Sequence, residues 1–254
     1  MTRGRTMSAG KVAALAGGGI VLAAGALWLA PRWLVPLLAA LSPGCLYFVP
    51  TAERAVALTI DDGPDERTTP RILELLAAHG ARATFFLISS RVDGREAVVR
   101  AIAAGGHEIG NHLTRDEPSV GLPPRVFEAA LLEADSVLSR YGPLRWARPG
   151  SGWYTPRMLE VMRRHGYRCA LGSVYPYDPH IPSVRFAAAY IRAHARPGAV
   201  IVLHDGGSRG DRTARVLARV LPDLARRGYR VVTLSELAAP RTTPQSGDRP
   251  ADRR

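Results

Sequence analysis

The sequence of 254 residues predicts an α/β fold: an irregular (β/α)7-8 barrel preceded by an N-terminal transmembrane helix. Between residues 54 and 238, short runs rich in β-branched residues alternate with amphipathic runs, which favours a parallel sheet with helices between its strands. Seven strand-like runs in one such stretch fit a single barrel better than two domains. A long uncharged segment near the N-terminus predicts the membrane helix.

The predicted strands cover residues 54–60, 83–89, 107–110, 145–149, 167–173, 199–204 and 229–234. The predicted helices cover residues 69–80, 94–104, 124–140, 155–165, 185–194 and 212–227. Barrel enzymes carry their chemistry at the C-terminal ends of the strands, so polar residues that follow these strands are the candidates for function.

The N-terminal segment predicts a membrane anchor. Residues 12–30 are uncharged, and as a helix they would span roughly 28 Å, close to the thickness of a bilayer core. Arg3, Arg5 and Lys11 precede them without an acidic residue, which places the N-terminus in the cytoplasm and the remaining chain outside it. A cleaved signal peptide is the alternative, and the protein would then be secreted.

Three regions follow from this pattern. Residues 1–50 form the anchor or signal segment, residues 51–238 the catalytic domain, and residues 239–254 a tail without an apolar face that we expect to be disordered. A second apolar stretch follows Arg32, and we expect Pro36 and Pro43 to break it, which favours a segment at the membrane interface over a second span.

Composition and residue spacing argue against nucleic-acid binding and against a zinc site built from cysteines. The net charge is +12, but no basic and aromatic surface pattern or recognition module for nucleic acid is visible. The two cysteines, Cys45 and Cys169, lack the paired spacing of a zinc site. Cys169 lies in an apolar run and is expected to be a buried free thiol, although a Cys45–Cys169 bridge stays open outside the cytoplasm.

Reactive side chains follow several of the predicted strands. In "LTIDDGPDE", Asp61 and Asp62 end the first strand, an arrangement that a simple polar turn would also explain. His112 and Asp116 are four residues apart, so a helical turn would place both on one face. With Asp62 as a third ligand they could share one cation and leave a position open for water.

The order of these residues resembles the polysaccharide deacetylase family, also known as NodB-homology enzymes or carbohydrate esterase family four, over residues 54–238. "TIDDGP" differs from the family's TFDDGP only at Ile60. The resemblance implies that Asp61 is the catalytic base and Asp62 a metal ligand. In the family's second motif, His-Ser/Thr-x-x-His, both histidines bind metal. Here His112 matches, but Asp116 stands in place of the second histidine.

The metal set implied by the resemblance is therefore Asp62, His112 and Asp116, around one divalent ion. A carboxylate in place of an imidazole makes the metal a poorer Lewis acid and favours a harder ion. Zinc is the expected metal, with manganese, cobalt and nickel as alternatives.

Later motifs supply the other expected roles. By resemblance, Arg148 in "RPGSGWY" orients the base, and the loop of Gly150 and Ser151 stabilises the oxyanion through the Ser151 N–H. Asp178 in "YPYDP" is expected to partner His204 of "VLHDG", which would be the general acid.

The resemblance implies a metal-dependent hydrolase that removes N-acetyl groups from an amino-sugar polysaccharide of the cell envelope, such as peptidoglycan or chitin. Metal-bound water would be the nucleophile, with an Asp base and a His acid. A deacetylase or deformylase of a lipid-linked sugar and an inactive carbohydrate-binding relative are the alternatives. No Gly-x-Ser-x-Gly elbow or Walker loop appears, which disfavours serine-nucleophile chemistry and nucleotide hydrolysis.

Overall fold

The computed structural model describes Gly25, Trp28 and residues 32–240. The predicted anchor at residues 12–30 lies outside the described residues except for Gly25 and Trp28, and so do residues 241–254 of the predicted tail. No helix within the described part of the chain is both long enough and apolar enough to cross a membrane.

Eight parallel strands form one sheet. They are β1 (Cys45–Leu46), β2 (Ala55–Gly63), β3 (Thr84–Leu87), β4 (Glu108–Asn111), β5 (Trp146–Ala147), β6 (Arg168–Ala170), β7 (Val200–His204) and β8 (Arg230–Val232). Their order is β1-β6-β5-β4-β3-β2-β7, and β8 also pairs with β2.

Two isolated bridges bring the ends of this sheet together. Val174, which follows β6, pairs with Ile201 of β7, and Phe48, which follows β1, pairs with Ala199 just before β7. The sheet therefore closes into an irregular barrel, in agreement with the predicted parallel α/β architecture.

The helices cover the outside of the sheet. They are α1 (residues 32–41), α2 (Thr68–Ala78), α3 (Glu96–Ala104), α4 (Pro124–Leu138), α5 (Pro156–Arg164), α6 (Val184–His194), α7 (Gly207–Arg226) and α8 (Leu234–Ala238). Short 3₁₀ turns follow β3, α4 and β5, at Ser89–Arg91, Ser139–Tyr141 and Gly150–Gly152.

Strand β2 is buried along its whole length and directs Asp61 into the barrel. Val56, Leu58 and Ile60 pack in the apolar layer between the sheet and the helices. Ala57 points to the opposite face, into a separate cluster inside the barrel. Because side chains alternate along a strand, Asp61 shares this inner face, at the C-terminal end where the barrel opens.

The structure corrects several predicted boundaries. Helix α7 begins at Gly207, five residues before the predicted start, and both β1 and α8 were missed. The break expected at Pro36 is wrong, because α1 continues through it to residue 41. Residues 112–116 are not helical, and Leu113 has a φ of 63°, which a right-handed helix cannot accommodate.

Cys45 and Cys169 are register partners on β1 and β6. Both are buried free thiols, and their Sγ atoms are 3.3 Å apart.

Candidate active site

Strained backbone gathers where the strands end. Of the residues that the structure describes, four non-glycine residues have positive φ: Asp62 (69°), Leu113 (63°), Ser151 (61°) and Tyr177 (56°). Asp62 lies in the last residues of β2, and the others follow β4, β5 and β6. Such conformations cost of order 1–3 kcal/mol each and persist where surrounding contacts impose them, which is common at functional sites.

Arg148 holds Asp61 in place. Its Nη1 donates to Asp61 Oδ1 at 2.5 Å and to Thr59 Oγ1 at 2.9 Å, while Nε and Nη2 donate to the carbonyls of Ala170 (2.8 Å) and Leu171 (2.6 Å). Both members of the Arg148–Asp61 pair are buried. The carboxylate therefore has a fixed orientation, with one oxygen on the guanidinium.

His204 and Asp178 form a second buried pair. His204 Nδ1 lies 3.0 Å from both carboxylate oxygens of Asp178, and the backbone N–H of His204 donates to the same carboxylate at 3.2 Å. A carboxylate can only accept, so Nδ1 carries the proton and Nε2 is the reactive nitrogen. Burial acts to lower the pKa of His204, but the hydrogen bond to Asp178 and the nearby carboxylate charges raise it above its ordinary value.

Asp62 and His112 form a third pair. His112 Nδ1 donates to the carbonyl of Arg148 at 2.6 Å, and Nε2 lies 3.3 Å from Asp62 Oδ1. Burial acts to raise the pKa of Asp62, but His112 together with the positive charges around it lowers this pKa to about 2. Asp62 is therefore ionised throughout the physiological range.

Asp116 lies apart from the pair it was predicted to join. Its Oδ2 accepts from Arg91 Nη2 and from Arg209 Nη2, both at 2.9 Å, and its side chain is 41% exposed. The helical turn expected to stack it on His112 is wrong, since residues 112–116 form a loop. Arg209 links Asp116 to the Asp62 carboxylate, because its Nη1 also donates to Asp62 Oδ2 at 2.8 Å.

The turn after β5 contains Gly150 and Ser151, the two residues expected at the oxyanion site. Gly150 donates its N–H to Ser119 Oγ at 2.7 Å, and a Cβ there would lie 2.0 Å from the carbonyl oxygen of Glu117. The Gly150 N–H is thus engaged inside the protein, which removes it from the predicted oxyanion site. Ser151 is exposed, and its positive φ turns the peptide at the edge of the site.

Arg209 and Arg91 are site residues that the sequence analysis missed. Arg209 lies in the first turn of α7 and Arg91 in the 3₁₀ turn after β3, two segments without a motif. Both residues follow a strand that ends at the site, and this position is the only signal that could have marked them.

Comparison with known proteins identifies the family. The family model for polysaccharide deacetylases matches residues 48–170. A peptidoglycan-N-acetylglucosamine deacetylase of Bacillus cereus is 35% identical over 193 residues, which cover 74% of this chain and 90% of that protein. The chain belongs to the polysaccharide deacetylase family. The resemblance stated from the sequence motifs is thereby confirmed.

Two further deacetylases match most of this chain, one in sequence and one in structure. A chitooligosaccharide deacetylase of a Bradyrhizobium species is 33% identical over 198 residues, covering 72% of this chain and 90% of that protein. The crystal structure of the Bc1960 peptidoglycan N-acetylglucosamine deacetylase superposes with a TM-score of 0.73 at 27% identity, covering 78% of this chain and 95% of that chain. The relatives are thus deacetylases of amino-sugar polymers, although some members of the family are pseudoenzymes.

Deacetylases of this family generally depend on a divalent metal ion. Two of the expected donors are placed to bind such an ion. Asp62 Oδ1 and His112 Nε2 are 3.3 Å apart, which equals the separation, about 3.3 Å, of two ligand atoms on a tetrahedral zinc ion. The third expected donor, Asp116, is not placed to bind it, because its carboxylate is bound to two guanidinium groups. Within the described residues, no group of three or more His, Cys, Asp or Glu side chains is placed to hold a metal ion.

Proposed function

We propose that this protein removes N-acetyl groups from an amino-sugar polysaccharide of the cell envelope, of the peptidoglycan or chitin type. The observation that carries the proposal is the pairing of a carboxylate and an imidazole, Asp61 and His204, as register partners on adjacent strands at the mouth of the barrel. The names of the relatives, deacetylases of peptidoglycan and of chitooligosaccharides, support this substrate class.

Asp61 is the proposed general base. Its carboxylate is buried and fixed by Arg148, so it presents one oxygen to a water molecule that enters the mouth of the barrel. Removing a proton from that water as it attacks the acetyl carbonyl produces the nucleophile at the point of reaction. Arg148 is the positioning residue for this step.

His204 is the proposed general acid. Amide cleavage needs a proton on the leaving nitrogen, because an amine anion is a very poor leaving group. Asp178 holds the Nδ1–H, so Nε2 is the nitrogen that delivers the proton, and the hydrogen bond to Asp178 raises the pKa of His204, which favours its protonated form. The Ser151 N–H is the proposed donor to the tetrahedral oxygen. No step is assigned to a metal ion, because the third ligand does not fit.

The test is the release of acetate from N-acetylglucosamine oligomers and from peptidoglycan. We expect Asp61→Asn and His204→Ala each to lower the rate by about 10²–10⁴-fold, the usual contribution of an acid or a base. Glu160→Gln on the exposed surface of α5 is the matched control and should keep the wild-type rate. An Asp61→Asn protein that works at the wild-type rate would refute the mechanism.

We also propose that residues 12–30 anchor the protein in a membrane with the catalytic domain outside the cytoplasm. Their uncharged sequence and the basic residues before them support this location. An outward-facing enzyme would meet envelope polysaccharide or a lipid-linked sugar. Assaying lipid-linked N-acetylglucosamine beside the oligomers separates the two substrates.

Carbohydrate binding without catalysis is a second candidate function. The contact of Arg209 with Asp62 and Asp116 favours it, because this contact engages two of the three side chains that were expected to bind the metal ion. In that case the wild-type protein would bind oligomers in calorimetry yet release no acetate from any of them.

A further inference from the structure

We propose that the Arg209 guanidinium is the resident cation of this site: it joins Asp62 to Asp116 and takes the place of a divalent metal ion. The proposal rests on the same site as the proposed function, but it concerns metal affinity and needs no turnover.

Arg209 binds both carboxylates through separate nitrogens. Nη1 donates to Asp62 Oδ2 at 2.8 Å, and Nη2 donates to Asp116 Oδ2 at 2.9 Å. The Arg209 side chain is 31% exposed and that of Asp62 is 5% exposed, so the first contact is largely removed from water. Charge-assisted hydrogen bonds from a planar guanidinium to two carboxylates are strong and fix their geometry.

A second arginine completes the arrangement. Arg91 donates from Nη2 to Asp116 Oδ2 and from Nη1 to the backbone carbonyl of Asp62. Asp116 is thus held by two guanidinium groups, and the strained backbone of Asp62 is held by one of them. A metal ion that took Asp62 Oδ2 or Asp116 Oδ2 as a ligand would have to displace Arg209 from that oxygen.

The position of Arg209 on α7 argues for a specific role. An arginine in the first turn of a 20-residue helix faces the positive end of the helix dipole, which is unfavourable for a cation. The start of this helix is nevertheless fixed: Asp65 accepts from the Gly207 N–H at 3.1 Å, and Asp205 accepts from the Gly206 N–H at 2.7 Å. Arg209 is therefore directed toward Asp62 by a rigid helix start.

The unusual second motif then has a physical explanation. A histidine at position 116 could not offer an anionic acceptor to two guanidinium groups, whereas an aspartate can. A divalent cation added beside Arg209 would also be repelled by it in a partly buried site. Asp116 and Arg209 are therefore complementary in charge, and the presence of each explains the presence of the other at this site.

Metal affinity is the test. The full chain, treated with a chelator and then dialysed, is titrated with Zn²⁺ in a calorimeter and with Co²⁺ in an absorption spectrometer. We expect weak binding by the wild-type protein, and an affinity at least about 10-fold higher in Arg209→Ala, with a further gain in Arg209→Ala/Asp116→His. Arg163→Ala, which removes an exposed guanidinium on α5, should leave the affinity unchanged.

Two results would overturn the proposal. One is tight binding of one equivalent by the wild-type protein that His112→Ala abolishes. The other is a folded Arg209→Ala protein, by circular dichroism, with no gain in affinity. If Arg209→Ala does not fold, the wild-type melting temperature decides: a rise with Zn²⁺ contradicts the proposal, and no change supports it. Acetate release is measured separately, so an inactive wild-type protein would refute the proposed function and leave this inference standing.

Discussion

Asp61 on β2 and His204 on β7 are register partners in neighbouring parallel strands, so their side chains leave the sheet next to each other. Each has its own buried ion-pair partner: the Asp61 carboxylate pairs with the Arg148 guanidinium, and the His204 imidazole pairs with the Asp178 carboxylate. The proposed base and acid therefore lie one strand spacing apart and are held by different groups, which allows one to be altered without the other.

The pH dependence of kcat/KM should change when the partner of His204 is altered. Asp178 raises the pKa of His204, so activity that needs protonated His204 persists to higher pH and is lost as pH rises through that pKa. Asp178→Asn removes the negative charge and keeps an acceptor for Nδ1–H. We expect the basic limb of the profile to move to lower pH, in a full profile of acetate release.

Glu160→Gln is the control for that profile, because Glu160 lies on the exposed surface of α5. An unchanged basic limb in Asp178→Asn would mean that His204 is not the acid whose ionisation limits the rate.

Stability should depend strongly on Arg148. Arg148→Met leaves Asp61 buried without its partner, and breaking a buried pair in this way costs about 3–5 kcal/mol. The measurement is the free energy of unfolding in urea. The double variant Asp61→Asn/Arg148→Met should recover part of the loss, because the uncompensated charge is gone.

Arg230→Met tests the same substitution at an exposed pair, where Arg230 and Glu53 are 68% and 48% exposed. Its effect should be far smaller, since exposed pairs contribute little. Equal losses in the two variants would contradict the role assigned to the buried pair.

Much of the fold can be predicted from the local alternation of apolar and polar residues along the chain. The alternation along β2 places Val56, Leu58 and Ile60 on the face toward the helices and leaves Asp61 at the inner end. Such a pattern is a property of neighbouring residues, so it is readable in the sequence. The identity of the four catalytic candidates also came from short motifs, because each motif follows a strand.

The rest depends on contacts between distant residues. The early start of α7 has no amphipathic signal, and Gly210 is needed there because a Cβ would lie 2.3 Å from Thr68 Oγ1. The positive φ of Leu113 breaks the turn that would have stacked Asp116 on His112. Arg209 resembles any surface arginine until α7 is packed against the barrel, so its contact with Asp62 could not be predicted.

Cys45 and Cys169 should form a disulfide under oxidising conditions. Their Sγ atoms are 3.3 Å apart on paired strands, so a bond of about 2.05 Å needs only a small approach. Both thiols line a cavity of about 440 Å³, which gives small oxidants access. We expect intact mass spectrometry to record the loss of two hydrogens, and the unfolding free energy to rise by about 2–4 kcal/mol.

Cys45→Ser is the control for this oxidation, since it cannot form the bridge and should gain no stability. Two thiols that still titrate in denaturant after oxidation of the wild-type protein would contradict the expectation.

Helix α1 should lie at a membrane surface. Trp33, Leu37 and Leu41 recur at a spacing of four residues on one face and are 54%, 51% and 70% exposed. Val35 and Ala39 pack instead against the cluster formed with β1, α4 and α5. An exposed apolar stripe with an aromatic residue is typical of helices that lie in the interface of a bilayer.

The measurement places an environment-sensitive fluorophore at Leu37→Cys in full-length protein in vesicles, with Cys45 and Cys169 replaced by serine. We expect a blue-shifted emission that lipids with brominated chains quench, because the label would enter the apolar boundary. The same label at Ala77→Cys, on the exposed side of α2, should report water and resist quenching. Equal emission and equal quenching at the two positions would show that α1 faces the solvent.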